Sequence, residues 1–426
     1  MSTLRNVLKI PELRNKLLFT LMMVGLYRFG AHVPVPGIDL SIISDLEARA
    51  EQGGVLSLLQ TFSGGAITNF AVFALGIMPY ITSSIIMQLL QGVIPAVERW
   101  SKEGEAGQRK ITQITRYMTL GIALLQALGL LTVFRSTGAL APSTIPGAPP
   151  AAFTYAVVVL ALISGTALIM WLGELITQRG IGNGMSLLIF ASIVSRFPGA
   201  IVQSVNFGNG LFTALMVFIV LFIIAAIVTM ERAQRRIPVQ YAKRVVGRRV
   251  YGGSGTYIPL KINGANVVPI IFATAILFFP TQLLQLWPSP PQWVTTAASS
   301  LANGPVNWIA EFFLIVFFTY FYTALVFNPI DLADNLRKNG GFIPGVRPGG
   351  TTVRYIENVL NRITLPGAVF LGVIAVVPSM VFSVTQDQLV QQFGGTSILI
   401  MVGVALETMT QIESQLKMRH YDGFFK

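Results

Sequence analysis

The chain has 426 residues, 53% of them hydrophobic and only 11% charged, with a mean hydropathy of +0.65; so apolar a composition excludes an ordinary water-soluble domain and indicates a polytopic membrane protein. Its 30 Lys and Arg against 18 Asp and Glu give a formal charge of +12, an excess that suits nucleic acid, anionic lipid or an acidic partner until its placement is known. With no cysteine, disulfides, thiol chemistry and thiolate metal ligation are excluded.

From the amino end, Leu4, Val7 and Leu8 share one side of a modest amphipathic stretch with Arg5, Lys9 and Arg14 elsewhere, a pattern suited to the membrane surface. The apolar run over about 17–33 lacks a small-residue cleavage site and is followed by many more such runs, so it reads as a retained span and not as a signal peptide. A polar, mostly acidic stretch leads to residues 62–90, FSGGAITNFAVFALGIMPYITSSIIMQLL. This segment is long enough to cross a bilayer, yet Gly64-Gly65, Thr68-Asn69 and Pro79 each weaken a helix. In hydrocarbon an unsatisfied backbone N–H or C=O is so costly that broken helix survives only against protein or a water-filled cavity. The expected form is a half-helix over about 61–71, a break, and a membrane helix over about 72–92 bent near Pro79. Two readings stand: the segment lines a path, or it is a Pro-kinked span after a Gly-rich turn, as ordinary membrane packing allows.

Further apolar runs lie at about 117–134, 151–172, 185–205, 211–230, 267–286, 308–327, 363–382 and 396–409. Some fall short of the ~20 residues a span wants, and the total is ten crossings. Of the 30 Lys and Arg, all but Arg28, Arg49, Arg135 and Arg196 fall on one side: the amino end, the loops at 95–116, 174–183, 231–266 and 328–362, and the tail. This positive-inside bias places both termini and the basic loops in the cytoplasm, so the positive charge is largely topological. A division near Leu211, into 1–210 and 211–426, leaves five crossings in each half. An odd number per half makes the halves enter the membrane in opposite orientations, which generates a pathway at their interface. The fold expected is an all-α integral membrane protein of ten helices in two inverted halves.

Two of the cytoplasmic loops exceed the ~2 to 8 residues of a bundle connection. In the first, two β-rich runs flank Gly252-Gly253-Ser254-Gly255, a hairpin signal that carries Arg248 and Arg249 beyond the membrane surface. In the second, NPIDLADNLRKNGG has helical spacing and FIPGVRPGG sets Arg347 on a Pro/Gly turn. Docking surfaces and solvated positive-inside loops are both consistent with these features.

The only histidines are His32 and His420, and no GxxxxGK phosphate loop is present, so neither a zinc site nor a Ser/His constellation can be assembled. Charges within spans are few, Arg28, Glu311 and Glu407, whereas an ion-coupled transporter places ionisable relays near the midplane. A passive conduit, driven by whatever binds the cytoplasmic loops, is favoured over a secondary transporter or an intramembrane enzyme, and no cofactor is expected.

The runs FSGGAITNFAVFALGIMPYITSSIIMQLL, SKEGEAGQRKITQITRYMTL, MWLGELITQRGIGNGMSLLIFASIV, ERAQRRIPVQYAKRVVGRRVYGG, FYTALVFNPIDLADNLRKNGGFIPGVRPG and GGTSILI resemble the bacterial SecY family, pore subunits of the Sec protein-conducting channel. The resemblance covers essentially the whole chain in one order. It implies an hourglass pore between the halves, clamped by SecE and accompanied by SecG, in the bacterial plasma membrane. It places a ring of aliphatic side chains at Ile77, Ile81, Met185, Ile189, Ile271 and Ile400. A plug implied over 61–71 includes Phe62, Ser63, Gly64, Gly65, Ala66, Ile67, Thr68 and Asn69, whose glycines fit a loosely held element. A lateral gate lies between spans 2 and 3 on one side and 7 and 8 on the other, with Thr82, Gln126 and Thr274 as candidate polar contacts across it. The basic loop residues Lys243, Arg244, Arg248, Arg249 and above all Arg347 are implied to dock the SecA motor or a ribosome; anionic lipid is an alternative for the first loop. Signal-sequence-bearing polypeptides are the implied cargo, with SecDF and YidC as further partners.

Overall fold

The structure, a computed structural model, describes residues 10–36, 63–136, 151–199, 201–202, 210–241, 244–246, 249–251, 256–285, 291–302, 304–385 and 394–422. In chain order the elements are α1 (Pro11–Gly30), α2 (Met78–Val93), α3 (Pro95–Lys102), α4 (Glu105–Ser136), α5 (Ala151–Arg179), α6 (Gly184–Val194) and α7 (Gly210–Arg232). Four strands follow, β1 (Gln234–Tyr241), β2 (Arg244–Val246), β3 (Arg249–Tyr251) and β4 (Thr256–Lys261). The remainder is α8 (Val268–Gln285), α9 (Gln292–Ala302), α10 (Pro305–Val326), α11 (Pro329–Lys338), β5 (Gly341–Phe342), α12 (Gly350–Thr385) and α13 (Gly395–Asp422).

Among the described residues, every helix except α3, α9 and α11 occupies one of the ten apolar runs. The helices α4, α5, α12 and α13 and the α10–α11 run are each long and apolar enough to cross a bilayer, so the protein is a multi-pass membrane protein. Helices α2 and α3 meet at a bend of 100°, where α2 leaves the apolar layer and α3 turns its Glu98–Lys102 pair, bonded at 2.7 Å, to solvent. The Lys102 hydrogen bond and charge hold the Glu98 carboxyl below the usual carboxylate range. Helix α9 arises from QWVTTAASSLA, which follows a Pro-rich connector and escapes a search for spanning runs because it is only 11 residues long.

The broken segment departs from the expected form. Residues 64–70 and 72–77 are a succession of turns and not a half-helix followed by helix. Left-handed backbone at Gly64 (φ 64°), Gly65 (φ 88°), Phe70 (φ 47°) and Gly76 (φ 55°) interrupts any right-handed run. Helix α2 therefore begins at Met78, and Pro79 sits in its first turn, where a missing N–H costs nothing, so it starts the helix instead of kinking it.

The turn segment is satisfied by its neighbours. Val35 N donates to Phe70 O at 2.8 Å and Val72 N to Val33 O at 2.9 Å, a short antiparallel bridge that ties it to the chain leaving α1. Phe70 stacks edge-on against Phe134 of α4 with centroids 4.6 Å apart. A Cβ at Gly165 of α5 would collide with Val72 O, so that glycine lets the segment lie against the helix.

The basic loops fold together. Strand β1 pairs antiparallel with β4, from Gln234↔Lys261 to Val239↔Thr256, and also with β5 through Gln240↔Phe342 and Tyr241↔Gly341. The expected hairpin across residues 252–255 is thus corrected. The run after the glycines pairs with β1, and the run before them closes on itself as β2 and β3, with Val246 opposite Arg249. A satellite core of Ile237, Val239, Leu260, Leu336, Ile343 and Ile356 binds both loops and the start of α12 into one body.

Candidate functional site

Helices α2, α6, α8 and α13 each place a candidate ring residue within their first two turns, and all six candidates fall in one hydrophobic cluster. Ile77, Ile81, Met185, Ile189 and Ile400 are buried members, and the partly buried Ile271 packs against them. Local chemistry positions each of them. Ile77 is the N-cap of α2 and its carbonyl accepts from Ile81 N at 3.1 Å, so the two stand one turn apart on one face. Asn183 caps α6, its Oδ1 accepting from Met185 N at 3.1 Å and Ser186 N at 3.4 Å. The capped turn is fixed further by Thr177 Oγ1, which accepts from Gly184 N at 2.8 Å, and by Thr20 Oγ1 of α1, which accepts from Ile181 N at 3.1 Å.

A Cβ on Gly173 would collide with Met185 Sδ, and one on Gly184 with Gly173 O. These two glycines let α6 lie against α5 and seat the thioether between them. Ile271 lies in the first turn of α8, after Asn266, whose φ is 51°. Ile400 lies in the second turn of α13, which starts at Gly395, where a Cβ would collide with Ile374 O of α12.

Of the plug candidates, Phe62 lies outside the described residues. Ser63, Ala66, Ile67 and Thr68 are buried, between 0% and 3% exposed, and Gly64 is buried with them. The segment is thus a packed element and not the loosely held one its glycines suggested. Ala66 belongs to the central cluster that holds the ring candidates, whereas Ile67 and Phe70 belong to a second cluster with Ala123, Leu130 and Phe134 of α4 and Leu162 of α5. Thr68 Oγ1 donates to Gly65 O at 2.9 Å.

At the seam, α8 packs against both α4 and α2, and a Cβ on Gly92 would stand 4.0 Å from Leu325 of α10. The expected polar contacts are corrected for the two threonines. Thr82 Oγ1 donates to Met78 O and Thr274 Oγ1 to Ile271 O, both at 3.0 Å and each within its own helix; membrane hydroxyls take the nearest carbonyl, one turn back. Gln126 is half-buried on α4. Sequence reasoning passed over Gln88 on α2, whose buried Oε1 has no hydrogen-bond partner among the described residues; an amide in an apolar span, with Gln91 three residues on, is its only signal.

Arg347 is exposed on the turn between β5 and α12. Gly345 (φ 82°) and Gly349 (φ 106°) shape the turn, and Thr352 Oγ1 donates to Arg347 O at 2.9 Å. It takes part in none of the salt bridges found among the described residues, so its guanidinium is available to a partner. Lys243 and Arg248 lie outside the described residues, and Arg244 and Arg249 are described only as backbone positions on β2 and β3. Between α4 and α5, Arg116 Nε donates to Glu174 Oε1 at 2.7 Å and Nη2 to Oε2 at 2.5 Å, a bidentate pair that fixes their separation.

An apolar junction of helices from both parts of the chain, packed against a turn segment and accompanied by a basic folded body, is the architecture of a membrane channel. The solved structures agree on the fold. One described as "The structure of a protein conducting channel" matches with a TM-score of 0.65 at 18% identity, covering 94% of this chain and 91% of that one. Sec61 in the canine ribosome-channel complex matches with a TM-score of 0.61 at 17% identity over the same shares. A model of the SecY family matches residues 71–409. The protein translocase subunit SecY of Streptomyces coelicolor is 50% identical over 428 residues, 98% of each chain. The chain belongs to the SecY family.

Proposed function

We propose that this chain is the pore subunit of a bacterial protein-conducting channel, passing unfolded secretory polypeptides across the plasma membrane and releasing apolar segments sideways into it. The observation that carries this reading is the convergence of Ile77, Ile81, Met185, Ile189, Ile271 and Ile400, from four helices on both sides of residue 211, on one cluster in a chain of this family. A collar of flexible apolar side chains repels water and ions yet can spread around an extended chain. Residues 1–210 and 211–426 form the two halves, both termini face the cytoplasm, and the segment 61–71, described from residue 63, serves as the plug. The seam of α2 and α4 against α8 and α10 is the exit into lipid.

The basic body at β1–β5 and the Arg347 turn docks the source of force, a SecA-type motor or a translating ribosome, while SecE and SecG brace the bundle. SecDF, YidC and anionic lipids complete the set of partners. The test is a photo-crosslinking residue at position 81 or 189, with an arrested secretory chain in transit. Crosslinks are expected from both positions and none from the lipid-facing position 222, whose side chain is 69% exposed. A transiting chain that reaches neither 81 nor 189 overturns the pore assignment.

A further inference from the structure

The end of α1 reaches the turn segment with side chains that its helical role does not require. Arg28, in the last turn of α1, donates from Nη1 to Gly64 O at 2.9 Å. Gly64 is in the left-handed region, and a Cβ there would stand 2.8 Å from that same Nη1 and 3.1 Å from Ser192 Cα, so Gly64 is held between Arg28 and α6. One residue before Arg28, the fully buried Tyr27 shares a hydrogen bond of 2.5 Å with Ser192 Oγ and stacks on Phe73, the centroids 5.9 Å apart. Ser192 is three residues beyond Ile189 on α6.

A guanidinium has five donors and stays charged, and in an apolar span such a group is retained where it does something. Arg28 forms no salt bridge with any described carboxylate; its acceptor is a backbone carbonyl of the turn segment. That carbonyl belongs to a chain that helical hydrogen bonding leaves unsatisfied, so the bond exists only while the segment is in place. Breaking it costs Arg28 its acceptor and Gly64 its donor together.

We propose that Arg28 is the latch of the plug, a positioning residue that holds Gly64 against α6, with the Tyr27–Ser192 bond aligning α1 on the helix that carries Ile189. The inference rests on the reading of 63–71 as a movable plug. It assigns the closed state's retention to one charged hydrogen bond that a passing chain breaks and re-forms, beside the apolar packing of Ala66 and Phe70.

Because the chain has no cysteine, Ala66→Cys gives a single reporter thiol on the segment. The assembled channel is placed in planar bilayers and proteoliposomes as four forms: unchanged, Arg28→Met, Arg28→Lys, and lacking 63–71. Arg28→Met is expected to raise the resting ion current at least tenfold, toward that of the deletion, and to speed labelling of Ala66→Cys by an impermeant maleimide to a similar degree. Arg28→Lys, which keeps a charged donor, is expected to stay within threefold of the unchanged channel in both readouts. Leak from the deletion with neither current nor labelling changed in Arg28→Met overturns the latch and leaves the plug standing. Should the deletion fail to leak, the plug reading falls, and labelling alone decides whether Arg28 holds the segment. Equal effects of Arg28→Met and Arg28→Lys assign the change to shape and overturn the hydrogen-bond role.

Discussion

A buried isoleucine in this bundle does not owe its position to the hydrophobic effect, because lipid is as apolar as the collar it avoids. Ile77 and Ile81 are 0% and 7% exposed, whereas Phe218 and Phe222 of α7 are 66% and 69% exposed and no less apolar. On the proposed reading, what distinguishes the collar is that its other side is water when the channel opens. A polar side chain there should wet the constriction. Ile81→Asn or Ile189→Asn is therefore expected to raise resting ion conductance several-fold, read in single-channel recordings, with Phe222→Leu unchanged. The glycines of the α5–α6 junction act at the same scale. Gly184→Ala sets a methyl against the Gly173 carbonyl, which is backbone and cannot swing away. Overpacking of that kind costs about 1 to 3 kcal/mol, seen as a lower apparent Tm of the detergent-solubilised channel.

Among the elements, the basic loop body joins what the sequence separates by some eighty residues. Strand β1 supplies hydrogen bonds to both β4 and β5, and Ile237 and Val239 are buried between the two loops. Truncation of a core isoleucine costs about 2 to 5 kcal/mol. Ile237→Ala should accordingly expose both loops to trypsin in the same experiment, whereas independent loops would leave the Arg347 turn protected. Arg347→Glu is expected to abolish motor-driven transport of a secretory protein into inverted vesicles, with insertion and partner binding intact. A guanidinium on a braced turn offers bidentate geometry that reversal of charge turns into repulsion. Normal transport by that variant would refute the docking role. The helical spacing of NPIDLADNLRKNGG did announce α11, capped by Asn328 through a bond of 3.0 Å from Ile330 N. The partners of β1 were not legible, since strand pairing is a contact between distant residues and leaves no local pattern.

For the whole molecule, the proposed function requires that the two parts of the chain separate along one seam and stay joined elsewhere. Helix α8 meets α4 and α2 at the seam, while α13 packs against α6, α7 and α12 away from it. The two seam threonines bond within their own helices, so the seam is closed by apolar packing more than by their hydroxyls and can open without stranding them. A short cleavable thiol crosslink between Gly92→Cys and Leu325→Cys, positions that approach across α2 and α10, is expected to block release of a signal-anchor segment into lipid and to restore it on cleavage. Release through the intact crosslink would place the exit on another side.

The multi-pass membrane character was legible in the sequence itself, because hydropathy acts residue by residue on insertion. The break at Gly64-Gly65 was equally visible, since glycine and its backbone freedom are local properties. Tertiary structure alone decided that 63–77 is a packed series of turns, that Pro79 opens α2, that both basic loops share one sheet, and that Arg28 reaches Gly64. Each of these depends on which groups meet across distant parts of the chain, and where every candidate side chain is apolar, hydropathy cannot tell a pore lining from a lipid face.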